Sequence, residues 1–272
     1  MKCQIPLKRL FWKISGSLGI AGLALLLSTQ RPVAAQKGPA AQPLLVSAAI
    51  SLTDVLQGLA PSFSRSKRVP PPQFNLGASG SLQRQIEQGA PVDVFLSAGT
   101  RQMDALEQAK LLLPGTRRNL ISNQLVLVVP AQRRGVVGFT DLESPRIRRI
   151  AIGDAAVPAG EYARQALRHY KLLTALQPKL VPLSSVRAVA AAVASGSADA
   201  GFVYRSDTYG VSNLRIAATA SAASHTPILY SGAVIRRSRQ PALARAYLDG
   251  LQSPAARSAF IRAGFSPLPP AR

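Results

Sequence analysis

The side chains and backbone positions with chemistry to offer are few, and most are neutral. Ser79 stands in Asn75-Leu76-Gly77-Ala78-Ser79-Gly80-Ser81-Leu82-Gln83-Arg84-Gln85-Ile86, which reads as a strand, a glycine-flanked serine and a helix. The first turn of a helix leaves backbone N–H groups without partners, and the helix dipole makes that end electropositive, so such a junction seats an anion. The serine hydroxyl adds a donor, and Gly77 and Gly80 let the backbone turn sharply and approach a ligand closely. Ser79 also admits a different chemistry, as the nucleophile of a secreted serine hydrolase with Asp199 or Asp207 and His225 in the chain order Ser, Asp, His. Against this, Gly77-Ala78-Ser79-Gly80-Ser81 lacks the last glycine of the Gly-x-Ser-x-Gly elbow. His169 falls in an expected helix and His225 in a polar loop, and these are the only two histidines.

Other helix starts match the first. Ser51 follows a short apolar run and reads either as an N-cap or as a donor to a ligand. Val157-Pro158-Ala159-Gly160 opens a helix in which proline fixes φ and Ala159 can offer its N–H without a bulky side chain. Ser184-Ser185-Val186 opens another, and Tyr204 ends an apolar strand with a phenol that is either packed or aimed into a cleft. Metal ligation has little support, because the 12 acidic residues are spread thinly and no His, Asp or Glu cluster has ligand spacing.

The elements that must position these groups alternate. Strands at 44–48, 73–76 and 92–96 are interleaved with helices that open at Ser51 to Asp54, run from the Ser79 junction to 88, and span 101–110. Residues 111–119 read as a connection and 124–129 as a β-branched strand. A second series follows: strand 149–153, helix 160–173, strand 180–183, helix 186–195 and strand 200–204, with further strands at 213–218 and 227–235. Two helices, 241–251 and 255–263, close the chain, and Pro267 and Pro269-Pro270 follow. Alternation of this kind argues for α/β architecture with largely parallel sheets. Two series imply two lobes: the first from 44–122 plus about 236–272, the second about 123–235, with the tail packed back on the first. No internal repeat is visible in the sequence.

The N-terminus has a separate logic. Lys2, Lys8, Arg9 and Lys13 precede an uncharged run of 14 residues, 14–27, and Val33-Ala34-Ala35 supplies small residues for cleavage. That order predicts a secretory signal, residues 1–35, cut after Ala35, since the run is shorter than the roughly 20 residues that span a bilayer. An uncleaved anchor is the alternative. Residues 36–43 read as a flexible leader. Cys3 is the only cysteine and lies in the signal, so disulfides and thiol chemistry are excluded from the exported chain. The whole chain carries a net charge of +21, and subtracting the five basic residues of the signal leaves +16. That surplus attracts anions. The arginines nevertheless come as scattered pairs with only 6% aromatic residues and no nucleic-acid motif, which predicts a solvated basic surface and no nucleic-acid partner.

Five motifs in order carry a resemblance over about residues 44–265: Ala49-Ile50-Ser51-Leu52-Thr53, Gly77-Ala78-Ser79-Gly80-Ser81-Leu82, Gly89-Ala90-Pro91-Val92-Asp93-Val94-Phe95, Val157-Pro158-Ala159-Gly160-Glu161-Tyr162-Ala163 and Gly201-Phe202-Val203-Tyr204-Arg205-Ser206-Asp207. Together they resemble the periplasmic molybdate-binding proteins of ABC importers. The resemblance implies a two-lobed, type II periplasmic binding protein fold with the ligand cleft between lobes. It implies an exported, periplasmic and monomeric binding protein, not an enzyme, that passes molybdate or tungstate to an ABC permease. By the same resemblance, the hydroxyls and N–H groups of Ser51 and Ser79, the N–H groups of Ala159 and Val186, and the Tyr204 hydroxyl hold the oxyanion. No cofactor is implied, and molybdenum is bound only as the oxyanion. Two positions depart from the family pattern: Asp154-Ala155 stands where Gly-Asp-Pro is common, and Arg205 adds a charge beside Tyr204. A site of donors alone suits a fully ionised tetrahedral dianion and disfavours protonated oxyanions, which also need an acceptor. The same fold tuned to sulfate or phosphate is the alternative, and for sulfate cavity size must discriminate.

Overall fold

The computed structural model describes residues 42–268. The expected signal, most of the leader and Pro269-Pro270 lie outside the described residues. The chain begins with β1 (Leu45–Ala49), a single 3-10 turn (Ile50–Leu52) and α1 (Thr53–Lys67). There follow β2 (Gln73–Gly77), α2 (Ser79–Glu87), β3 (Val94–Ser97), α3 (Thr100–Gln108) and β4 (Arg118–Ser122). The next series is β5 (Leu125–Pro130), β6 (Ile150–Gly153), α4 (Pro158–His169), the short α5 (Leu173–Leu176), β7 (Leu180–Leu183), α6 (Val186–Ala194), β8 (Ala200–Tyr204) and β9 (Leu214–Thr219). The described chain ends with β10 (Leu229–Val234), α7 (Pro241–Leu251) and α8 (Pro254–Arg262).

Local chemistry explains many of these boundaries. Proline occupies the opening of α4, α7 and α8, where its missing N–H costs nothing. Ser185 and Ser253 cap α6 and α8, accepting from the N–H groups of Ala188 and Ala256 at 3.1 and 3.2 Å. Strands β3, β6 and β8 are buried at every position, as strands covered on both faces require.

The strands form two mixed sheets flanked by helices, ordered β2-β1-β3-β10-β4 and β7-β6-β8-β5-β9. In the first, β1 runs parallel to β2 and β3, while β10 is antiparallel to β3 and β4. In the second, β6 runs parallel to β7 and β8, while β5 is antiparallel to β8 and β9. Each lobe therefore carries a parallel trio extended by an antiparallel strand. Helix α8 lies on α1 and α7 on β10, and Phe63 meets Tyr247 edge to face with centroids 5.0 Å apart, so the C-terminal helices belong with the first sheet.

Two expectations are corrected. The stretch 111–119 is not wholly a connection, because β4 begins at Arg118. It is an edge strand with only Leu120 and Ile121 buried, and its start, Arg117-Arg118, hides any apolar pattern. The strand expected at 227–235 falls by sequence order in the second lobe, but β10 pairs Ser231 with Ser97 and Gly232 with Leu96, inside the first sheet. The return crossing therefore falls before Leu229 and not near residue 235. Cross-strand pairing over such separations leaves no local signal.

Candidate functional site

Strands β1, β2, β6, β7 and β8 all deliver the chain to one place from their carboxyl ends, where open α/β sheets bind ligands. A small cavity of about 10 Å³ lies there between the lobes. The first lobe lines it with Ser51, Ser79 and Ala98, and the second with Val157, Pro158, Val186 and Tyr204, all uncharged. The structure thus brings four of the five sequence-predicted residues together. Ala159 does not line the cavity; it is buried one position beyond Pro158, at the second position of α4.

The backbone donors are available. Ser79 and Val186 begin α2 and α6, Ser51 lies in the 3-10 turn, and among the described residues none of the N–H groups of Ser51, Ser79, Ala159 and Val186 has a backbone acceptor. Close packing fixes α4: a Cβ on Gly160 would lie 2.0 Å from the Gly153 carbonyl oxygen, so only glycine lets its first turn press onto the end of β6.

The hydroxyls are oriented by neighbours. Ser79 Oγ accepts the Ala98 N–H at 3.0 Å, which leaves its own proton to donate elsewhere. Ser51 Oγ and Tyr230 Oη are 2.9 Å apart, and Asn123 Nδ2 lies 3.4 Å from Tyr230 Oη. With Asn123 donating to Tyr230 and Tyr230 to Ser51, the Ser51 proton is free. Asn123 is held in that orientation because its Oδ1 accepts the Gln124 N–H at 2.9 Å and its Nδ2 also reaches Ser206 Oγ at 2.8 Å. Tyr204 donates to the Ala98 carbonyl at 3.3 Å. Burial, with the neighbouring Tyr230, pushes the Tyr204 phenol well above its ordinary pKa, so it stays protonated and remains a donor.

Charges sit around the cavity and not in it. Arg205 turns away: its Nε donates to Gln124 Oε1 at 2.6 Å and its Nη2 to Thr219 Oγ1 at 3.0 Å. Asp207 is buried and accepts the Tyr204 N–H at 3.2 Å. Burial raises its carboxyl to about 7, against the pull of the Tyr204 N–H and of Arg187. At the rim, Arg101 pairs with Glu161 at 3.3 Å and Arg187 with Asp54 at 2.7 Å, each bridging the lobes. The Gly80 N–H also donates across them to the Ala156 carbonyl at 3.0 Å. A volume of about 10 Å³ matches one water at most, so a tetrahedral oxyanion enters only if the lobes part.

The hydrolase arrangement is not assembled. Ser79 Oγ is partnered by Ala98, His225 is half-buried with Nδ1 2.8 Å from the Thr226 carbonyl, and Asp207 is taken by the Tyr204 backbone. Asp199 is held by Arg133 and by the N–H groups of Arg148 and Arg149. Burial acts to raise its pKa, but these hydrogen bonds and the charges of Arg133 and Arg149 hold it below the usual range. Among the described residues, no group of three or more His, Cys, Asp or Glu is placed to hold a metal ion. Sequence reasoning missed Asn123 and Tyr230, whose roles depend on contacts with residues far away in the chain. The only local signal for Tyr230 is its phenol, beside Ser231, in a largely apolar strand.

The chain is 35% identical over 254 residues to the molybdate-binding protein ModA of Escherichia coli, covering 90% of this chain and 96% of that one. The periplasmic molybdate-binding protein of Azotobacter vinelandii superposes with a TM-score of 0.74 at 28% identity, covering 84% of this chain and 100% of the other. The sulfate-binding protein SubI of Mycobacterium tuberculosis superposes at 0.71 with 17% identity, over 85% and 88% of the two chains, which shows a shared fold alone. The model of the bacterial extracellular solute-binding proteins matches residues 44–266, and the chain belongs to that family.

Proposed function

We propose that this protein captures molybdate or tungstate between its lobes and hands the anion to the membrane permease of an ABC importer. The observation that carries this reading is the composition of the cleft: helix starts and hydroxyls from both lobes converge there, and no charged side chain lines it. Ser51 and Ser79 contribute hydroxyls, joined by Tyr204 when the anion draws its proton from the Ala98 carbonyl, and Ser51, Ser79 and Val186 contribute backbone N–H groups, joined by Ala159, one position beyond the cavity lining, when the lobes part. A doubly charged ion without a counter-charge needs several such bonds, each contributing roughly 1.5–3 kcal/mol. Relatives named for molybdate binding support the choice among oxyanions. Molybdenum enters as the ligand's central atom, no cofactor is required, and the protein acts by binding and release. It works outside the cytoplasmic membrane as a monomer, after removal of the signal near Ala35.

Calorimetry against molybdate, tungstate, sulfate and phosphate tests the reading. Molybdate and tungstate are expected to bind tightly and phosphate poorly, because a protonated oxyanion needs an acceptor that the cleft does not provide. Tight sulfate binding with no response to molybdate would overturn the assignment in favour of the sulfate-type alternative.

A further inference from the structure

We infer that the end of the second lobe remote from the cleft is a contact face for anionic membrane lipid. Strands β6 and β8 pair Ile150 with Ala200 at this end and run from it towards Gly153 and Tyr204 at the cleft. The face is built from residues 131–137 and 146–149, which the structure ties together. Arg133 pairs with Asp199, and its Nη1 donates to the Arg146 carbonyl at 3.4 Å. Asp199 Oδ2 accepts the N–H groups of Arg148 and Arg149 at 2.8 and 2.9 Å. Arg215 Nη2 donates to the carbonyls of Arg133 and Val136 at 2.8 and 2.9 Å.

Those bonds consume Arg133, Arg215 and backbone groups but leave four guanidinium groups over. Arg134, Arg146, Arg148 and Arg149 are exposed, and none makes a side-chain ion pair or hydrogen bond among the described residues. Arg146, Arg148 and Arg149 line an open hollow of about 600 Å³ whose only acid, Asp199, already has a partner in Arg133. Among nearby acids Glu143 is exposed, whereas Asp141 and Asp199 are half-buried. Val137, three residues after Arg134, is 76% exposed and the most exposed large apolar side chain among the described residues. Its loop is held in place, because Asp141 Oδ2 accepts the N–H groups of Val137 and Gly138 at 2.8 and 2.9 Å.

Unpaired arginines on two tied segments, one of which also carries an exposed apolar side chain, match an interface of lipid phosphates over acyl chains. A nucleic-acid surface would instead present aromatic side chains for stacking, and none lies in residues 131–137 or 146–149. Contact through this end leaves the cleft at the opposite end of the strands free.

The test is co-sedimentation of the exported form of the protein with vesicles of equal parts phosphatidylglycerol and phosphatidylcholine, and with phosphatidylcholine alone. Binding is expected only to the anionic vesicles and is expected to weaken with salt. Each basic residue near an anionic surface contributes about fivefold, so Arg146→Glu, Arg148→Glu and Arg149→Glu combined should weaken binding by roughly a hundredfold or more. Arg236→Glu, Arg237→Glu and Arg239→Glu make the same change in net charge on exposed residues of the first lobe, and should weaken it far less. Val137→Asp, which keeps every arginine, should also weaken it. Thermal unfolding and oxyanion calorimetry establish that each variant is folded and keep this test separate from that of the proposed function. The inference is overturned if the parent ignores anionic vesicles, or if the two triple variants lose equally, which would mark net charge alone as the cause. Retention on double-stranded DNA through the same arginines, with no vesicle binding, would overturn it as well.

Discussion

Consider Gly80 replaced by alanine. The added Cβ would sit 2.8 Å from the Ala156 carbonyl oxygen, 3.0 Å from its Cα and 3.3 Å from its carbonyl carbon. These are backbone atoms of the opposite lobe, so no flexible side chain can give way. Restoring ordinary separation requires the lobes to part by roughly half an ångström. That movement stretches the Gly80 to Ala156 hydrogen bond, 3.0 Å in the closed geometry, to the limit of a useful contact. A bond of this kind contributes about 0.5–1.5 kcal/mol, and overpacking that is not relieved costs about 1–3 kcal/mol. The closed state should therefore lose about 1–3 kcal/mol, which weakens molybdate binding by roughly 5- to 150-fold. Folding itself should not suffer, because alanine is a better helix former than glycine in the first turn of α2. Calorimetry with molybdate gives the affinity, and thermal unfolding without ligand gives the stability. An affinity within twofold of the parent, with stability maintained, would refute the claim that ligand is held with Gly80 against Ala156.

The remaining expectations concern donors, rim and pH. Ser79→Ala removes a donor to a charged ligand and should weaken molybdate binding by about 1–3 kcal/mol in calorimetry; unchanged affinity would exclude the hydroxyl from the site. Tyr230→Phe removes the group that directs the Ser51 proton and should cost about 1 kcal/mol of affinity, whereas a lower melting point with full affinity would make Tyr230 merely structural. Asp54→Asn with Glu161→Gln deletes both ion pairs across the lobes. Exposed pairs contribute about 0.2–1 kcal/mol each, so affinity should fall modestly and lose part of its salt dependence, and an unaltered salt slope would count against a role in closure. Asp207 has a native pKa of about 7 against an ordinary value of 3.8. Between those values the native state binds more protons than the unfolded one, so its contribution to stability grows as pH falls from about 7 towards 4. Melting points measured across that window should show this slope in the parent and a smaller one in Asp207→Asn; identical slopes would remove Asp207 as the source.

Most of the cleft could be read from the sequence because helix starts obey local rules. Pro158, Ser185 and the glycine-flanked Ser79 announce their own termini, and strand alternation places those termini at one edge of each sheet. What the sequence hid was long-range. β10 follows the second series in the chain, but its hydrogen bonds close the first sheet, and no property of residues 229–234 records that choice. The Ser51 to Tyr230 contact spans 179 positions. Gly80 was legible as a glycine at a turn, but its purpose was not: the backbone that comes close is Ala156 of the other lobe. The two sheets share a topology that no internal sequence repeat reveals, because strand order constrains burial and pairing and leaves residue identity free.

The distribution of charge bears on how such a site can select. A strongly basic chain could have placed an arginine in the cleft, but a bare cation attracts every dianion and leaves little to shape. Here Arg205 is drawn off to Gln124 and Thr219, and Arg187 and Arg101 are paired with Asp54 and Glu161 at the rim. The acid nearest Tyr204 must also be silent, since a carboxylate there would oppose an anion. Burial meets that need by favouring the protonated form of Asp207 as pH falls below about 7, and an adjacent dianion strengthens the preference. With both signs of charge neutralised, discrimination rests on the number and direction of donors and on how far the lobes close. Those are the quantities that Ser79, Tyr230 and Gly80 control.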